Sequence, residues 1–344
     1  MRILFIYGNW VLSYMRSTTA ARLLALVFFT VLSVSCRHIP LMEPHSGVYI
    51  KFNVKVQPDV VDYNPEDYPF PGIVRGAMPQ TFRVCFYDAE THDLLTEDYL
   101  GNEGGFVDIN PGLYDIMVYS MGTELTRVTG VSSRAAAYAY TSGPGMNLTM
   151  TRGNEDGDII RINYPVIYEP DHLYVGRAER VEIPVVSEDS RVIVIPFDVR
   201  TLLESYTFEA VNIVGAERIQ SASCYVTGQA PQRYLWDERH PGNVSAIVFD
   251  APVDVENGCI RTAFNTFGRY PYSTSAVFVN LYITDKGGNK YQWIFDVTEQ
   301  FDNPDNERKS IIIYNAIVVP EHPEGGFSPN VNDWNTEIID VPLN

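Results

Sequence analysis

A chain of 344 residues, 45% of them hydrophobic, suits two domains of ordinary size with a core to bury. Its 43 Asp and Glu outnumber 25 Lys and Arg, and a net charge of −18 repels phosphate backbones and anionic headgroups, which argues against a nucleic-acid binder. With 22 Tyr, 17 Phe, 22 Pro and 24 Gly, the composition favours strands and turns over helices, as in an all-β exported protein.

The N-terminus sets the compartment. Arg16 and Arg22 precede the apolar run Leu23 to Val34 and then Ser35-Cys36, the charged, apolar and small-residue regions of an export signal. That run is too short for a bilayer, which needs ~20 apolar residues. A second apolar run, Ile3 to Leu12, lies ahead of Met15, so Met15 is read as the true start. The stretch Leu32-Ser33-Val34-Ser35-Cys36 resembles a bacterial lipobox, in which the cysteine is acylated and becomes the first mature residue. It departs from the usual pattern in placing Leu four positions before the cysteine and Ser33 where Leu normally stands. Several acyl chains on Cys36 would hold the protein to a membrane far more firmly than one. Removing residues 1–35 takes away three Arg and no acid, leaving 309 residues with a charge of −21.

Cys85, Cys224 and Cys259 remain, an odd number. Cys224 and Cys259 share a presumptive domain in a compartment that permits a disulfide, although small buried thiols on strands are the commoner arrangement.

Along the mature chain, Val48, Ile50, Phe52, Val54 and Val56 alternate with polar residues, the period-2 signature of a first strand with one buried face. A Pro-rich acidic loop follows from Pro58 to Pro79. Phe82, Val84 and Phe86 then face one way and Arg83, Cys85 and Tyr87 the other, and Asp88 to Asp93 turns the chain. Asn110-Pro111-Gly112 leads into a strand from Leu113 to Tyr119, its entry fixed by Pro and by a Gly able to take positive φ. Ser132 to Tyr140 is a short helix or an extended run, and Arg180 to Val186 is a strand. The polar break Ser187 to Ser190 marks the domain boundary, giving 36–188 and 189–344.

In the second half, strands are expected at Arg191 to Phe197 and Phe208 to Val214, with a helical turn at Thr201 to Ser205 between them. Val277 to Thr284 and Tyr291 to Val297 form a hairpin through Lys286-Gly287-Gly288-Asn289. Ile311 to Val319 and Thr336 to Val341 close the domain. Many short strands without a βαβ rhythm argue two β-sandwiches in tandem.

Chemistry is sparse. There is no P-loop, Gly-rich dinucleotide turn, nucleophile elbow, paired-His helix or C-x-x-C, so no enzyme and no cofactor is expected. His38, His45, His92, His172, His240 and His322 are scattered, none at metal-ligand spacing with another. The acidic loops 154–158 and 302–307 invite calcium at alternate oxygens, but both lack the Gly and distal Glu of an EF-hand, and no metal site is assigned. A carboxylate-pair glycosidase has no supporting motif. Tyr63, Tyr68 and Phe70 in the Pro-rich loop suit a sugar-stacking platform, a protein interface, or packing over the end of the sandwich.

Thr266-Phe267-Gly268, Phe295-Asp296-Val297-Thr298 and the closing Gly325-Gly326-Phe327 with Val331 and Asp333-Trp334 are similar to fimbrillin-like lipoproteins of Bacteroidales, where looser lipoboxes are familiar. Pro111-Gly112-Leu113-Tyr114-Asp115 resembles the same family's strand entry, so the resemblance runs from Cys36 to the end. It implies two transthyretin-like β-sandwich domains behind a lipidated cysteine, as in anchor and accessory subunits of type V fimbriae. Their assembly would be of the donor-strand type, a partner subunit's segment pairing with an open sheet edge. On that reading the first strand, with Val48, Ile50, Phe52, Val54 and Val56, is the partner-strand edge. Arg75, in Pro71-Gly72-Ile73-Val74-Arg75-Gly76, is the position where cleavage would release that strand; an uncut anchor keeps it. A glycan-binding lipoprotein for nutrient uptake is the alternative. Arg37 and His38 after Cys36 lack the acidic run that usually directs such lipoproteins outward, so the outer-membrane anchor is compatible with either face.

Overall fold

The computed structural model describes residues 46–55, 78–153, 159–185, 193–270, 276–306, 309–321 and 336–340. Strands dominate, as the composition requires. The first is β1 (Ser46–Lys55), followed by the hairpin of β2 (Thr81–Asp88) and β3 (Leu94–Gly101). Their turn is built by Asp88, whose Oδ1 accepts the N–H groups of Glu90 and Thr91, both at 2.8 Å. After β4 (Gly105–Ile109), the Asn110-Pro111-Gly112 entry leads into β5 (Gly112–Ser120). Gly112 does not use a positive φ here. A Cβ there would stand 3.1 Å from the Tyr114 ring, whose hydroxyl donates to the Asn110 carbonyl at 2.9 Å. Space, not left-handed backbone, is what this glycine supplies.

The run Ser132 to Tyr140 resolves into a turn and a strand: β6 (Thr126–Thr129) pairs with β7 (Tyr138–Thr141). Next come β8 (Asn147–Gly153) and β9 (Ile159–Tyr168), neither expected, then β10 (Tyr174–Ile183) and β11 (Ile193–Thr201). Thr201 to Ser205 is no helical turn. The chain bends at Leu202 and Leu203, both buried, and continues as β12 (Glu204–Ala210). Two bulky apolar side chains anchor that bend in the core, where a solvated helical turn would have left them in water.

The remainder comprises β13 (Ile213–Val214), β14 (Ile219–Gln229), β15 (Gln232–Tyr234), β16 (Ser245–Asp250), β17 (Val253–Asp254), β18 (Cys259–Thr266), β19 (Phe278–Asp285), β20 (Lys290–Asp296), β21 (Ser310–Ile313), β22 (Ile317–Val318) and β23 (Thr336–Asp340). The β19–β20 hairpin forms as expected, its turn closed by Asn289 N–H donating to Asp285 Oδ1 at 2.8 Å.

The strands gather into two lobes. In the first, a seven-stranded sheet runs β3-β2-β5-β10-β11-β1-β4. Its two edge strands, β3 and β4, are joined by the tight Gly101–Gly104 turn, so the sheet has to roll over until its edges meet. Inside the roll lies a core of Val48, Phe82, Val84, Phe86, Val118, Phe197 and their neighbours. Cys85, Tyr87, Met117 and Tyr119 point out of the roll, yet they are equally buried, under Ala139 of a small sheet ordered β15-β7-β6 and Ala137 just before it. The two faces read for β2 are thus both right, and a third layer explains why Cys85 and Tyr87 are dry while Arg83 stays partly exposed.

In the second lobe a seven-stranded sheet, β23-β20-β19-β14-β16-β9-β8, packs on the four-stranded sheet β17-β18-β12-β21 and the β13–β22 pair. Aromatic stacking fills the space: Phe249 and Phe264 lie 4.5 Å apart at 10° between planes. The all-β sandwich character expected from the composition holds. The boundary expected at 188 lies outside the described residues. On either side of it β10 and β11 pair in one sheet, while β8 and β9, from before it, are laid in the sheet of the second lobe.

That crossing depends on Gly143. A Cβ on Gly143 would stand 1.7 Å from the Val166 carbonyl oxygen, where Tyr168 N–H already donates to Ser142 O at 3.0 Å. The backbone on both sides is pinned by the sheet, so relaxation is costly. Gly143→Ala is expected to destabilise by about 2–3 kcal/mol, read as a lower urea midpoint at unchanged m.

Candidate functional site: the slot of the first strand

β1 is the N-terminal strand of the described fold, and it is not an edge. It lies between β11, with which it runs parallel through eight registered pairs from Val48↔Ile193 to Lys55↔Arg200, and β4, with which it runs antiparallel through five, from Ser46↔Ile109 to Ile50↔Gly105. The sequence made β1 a one-faced strand; the fold makes it the strip that holds two others. β11 shares two registered pairs with β10, against its eight with β1. β4 pairs with β1 along its whole length and meets β3 through the Gly101–Gly104 bridge.

Val48 anchors the strand, fully buried against the core that contains Val107, Phe197 and Val199. A strand in this position, if withdrawn, would leave rows of N–H and C=O groups on both β11 and β4 together with an apolar floor. An extended segment of another chain could then satisfy both. Pro196 of β11 faces Lys51 in the register and offers no N–H, which fits a strand paired mainly on one side. Outside the roll, Phe106 of β4 and Val194 of β11 are exposed.

Ile50, Phe52 and Val54 take their registered places in β1. Val56, Arg75, Cys36, Tyr63, Tyr68 and Phe70 lie outside the described residues, as do the acidic loop 154–158 and the histidines His38, His45 and His322. The other acidic loop is occupied with its own backbone. Asn306 Oδ1 accepts Ser310 N–H and its Nδ2 donates to Gln300 O, each at 3.0 Å, while Asp302 pairs with Arg269. Among the described residues no three His, Cys, Asp or Glu side chains stand close enough to hold a metal. His240 contacts the Phe267 carbonyl at 2.8 Å and His172 contacts Thr201. Cys85, Cys224 and Cys259 are buried free thiols, and burial pushes Cys85 up to about 11, so it is not a nucleophile.

The polar structure that sequence reading missed is a buried carboxylate beside the slot lobe. Asp115 of β5, 1% exposed, accepts Arg180 N–H at 2.9 Å, where Arg180 has φ +48° in the β10 bulge. Its other oxygen stands 2.9 Å from Arg134 Nε, an ion contact rather than an aligned hydrogen bond, and 3.5 Å from His92 Nδ1. Arg134 in turn stacks 4.3 Å over Trp236. One carboxylate thereby ties the β2–β3 turn, β5, β10 and the loop before β7. The hint was an Asp alternating out of phase in an apolar strand.

A model of a family described as a domain of unknown function, DUF5119, matches residues 72–250, more than half of the chain. The "Putative fimbrium anchoring subunit Fim4B" of Bacteroides ovatus is 23% identical over 324 residues, covering 81% of this chain and 92% of the relative. A crystal structure of a protein from Bacteroides ovatus described as a putative adhesin superposes with a TM-score of 0.57 at 22% identity, covering 83% of this chain and 97% of that one. The fimbrial anchor protein Mfa2 from Porphyromonas gingivalis gives 0.46 at 14%, covering 77% and 90%. The resemblance to fimbrillin-like proteins is borne out, and the sandwich fold is shared with the first of these structures. With more than half of its length matched, the chain belongs to the DUF5119 family.

Proposed function

We propose that this protein is a non-enzymatic fimbrial anchor or accessory subunit of the cell envelope, held by an acylated Cys36 and joined to a neighbouring subunit by strand pairing at the β1 slot. The observation that carries the reading is the placement of β1, an N-terminal strand paired on both sides, whose displacement from the slot while still tethered to Cys36 would open an acceptor for another chain's strand. The name of the Bacteroides ovatus relative, a fimbrium anchoring subunit, supports the same role. Translation from Met15, export through the signal that ends before Cys36 and attachment to the outer membrane complete it.

Mass spectrometry of N-terminal peptides from native envelopes and from sheared surface filaments tests it. An acylated Cys36 in the membrane fraction, cross-linked to fimbrial subunits, is expected of an anchor. A Gly76 start in sheared filaments would instead make the protein a processed shaft subunit cut after Arg75. An N-terminus at neither position, with no fimbrial cross-link, would refute both.

A further inference from the structure

Away from the slot, a cavity of about 960 Å³ lies among the start of β2, the links β5–β6 and β9–β10, and the four-stranded sheet of the second lobe. Its size is at the top of the range of natural ligand sites. The rim is apolar: Met78, Tyr99, Met121 and Leu125 are all exposed. Among the described residues the wall carries Glu124, Glu169 and Asp171 and no Lys or Arg. Asp171 is committed to the fold, its Oδ2 accepting the N–H groups of Leu125 and Thr126.

Glu169 is different. Its Oε1 accepts Asn265 N–H at 2.8 Å, and its neighbours are of its own sign, Asp171 and Asp250. Burial, partly offset by that hydrogen bond and reinforced by the two aspartates, pushes its carboxyl from an ordinary 4.5 up to about 7. His172, which lines the cavity with Glu124, Tyr99 and Tyr174, is lowered by burial from its ordinary value. A partly buried carboxylate with like charges around it and no cation beside it among the described residues lacks one element, a counter-charge brought from outside.

The geometry points to a docking groove for a Lys or Arg side chain, carried on an extended segment of a partner polypeptide whose flanking apolar residues sit on Met78, Met121 and Leu125. Charge complementarity selects the cation, and the exposed thioethers suit apolar neighbours of varied shape. The groove is separate from the β1 slot and needs neither cleavage after Arg75 nor acylation of Cys36.

The sign of the pH effect follows from Glu169. The folded value lies above the unfolded one, so its share of stability is present below pH 4.5 and is lost as pH rises through about 7. A cation reverses that cost, so binding strengthens over the same rise.

Calorimetric titration of the mature chain with acetyl-Ala-Leu-Lys-Leu-Ala-amide tests the groove. Binding is expected to be about tenfold tighter at pH 8 than at pH 6, in proportion to the ionised fraction of Glu169. It falls at least tenfold in Glu169→Gln and in the surface variant Met121→Lys, which brings its own cation to the rim and leaves folding intact. The norleucine peptide in place of Lys does not bind. Equal binding by Glu169→Gln, no binding of the Lys peptide, or equal binding by the norleucine peptide overturns the proposal. Spermine binding as tightly as the peptide overturns it too, by reassigning the groove to a free polyamine. Since the peptide does not require the slot, these outcomes leave the fimbrial reading to its own test.

Discussion

A chain that begins at Gly76, and so lacks β1, is expected to unfold about 10–20 °C below the mature protein and to recover part of that loss when a peptide spanning 46–55 is added. The estimate starts from the slot. Removing β1 abolishes eight registered pairs with β11 and five with β4 and exposes the core around Val48. Burying one valine is worth roughly 1.5–3 kcal/mol, and each good cross-strand pair a few tenths more, so about 5 kcal/mol is at stake. At about 2–4 °C per kcal/mol for a lobe of this size, the stated shift follows.

Peptide at about a hundred times its dissociation constant returns roughly 2.7 kcal/mol, or half of the loss. Thermal unfolding followed by circular dichroism reads both effects. A Val48→Asp peptide should give no recovery, because it places a carboxylate where the native strand is fully buried. A truncated chain that melts with the mature protein would mean β1 is a passive cover and would remove the ground for strand exchange.

Asp115→Ala should cost about 3–5 kcal/mol, the usual penalty for removing one member of a buried ion pair and leaving the other. Arg134, 16% exposed, would keep its charge against Trp236 with Glu179, 4.0 Å away, as its remaining acidic contact. Asp115→Asn keeps an acceptor for Arg180 N–H at the bulge and should cost about half as much. Urea unfolding gives the values, and the cycle with Arg134→Ala discriminates. If the pair is the unit of stability, the double variant loses clearly less than the sum of the two single losses. Strict additivity would place the role of Asp115 in the bulge alone.

Local readings succeeded where a strand has a wet face or a marked turn. β1 is legible from alternation, β5 from its Asn110-Pro111-Gly112 entry and the β19–β20 hairpin from the turn residues Lys286 to Asn289. β8 and β9 were missed. Leu148 and Met150 do alternate with Thr149 and Thr151, but threonine is neither clearly polar nor apolar in a strand, and Ile159 with Ile160 breaks the period. The bend at Leu202 and Leu203 went wrong for the opposite reason, a short apolar run without a strand period whose burial is decided by the core beneath it. Of the slot, the sequence disclosed the occupant and not the walls, because β11 and β4 are chosen by hydrogen bonding across long chain separations. The groove around Glu169 left no trace, since a lone Glu between Tyr168 and Pro170 carries no motif.

By itself, then, the sequence determined the strand-rich character, the alternating faces of the amphipathic strands, and the turns made by Asp, Asn and Gly, because each depends on neighbours within a few residues. Tertiary structure alone decided that β1 lies inside its sheet, that Cys85 and Tyr87 on the second face of β2 are dry, that Cys85, Cys224 and Cys259 are buried free thiols and that Glu169 has no counter-charge among the described residues. Pairing and desolvation are properties of what packs opposite a residue, and that is set only when distant segments meet.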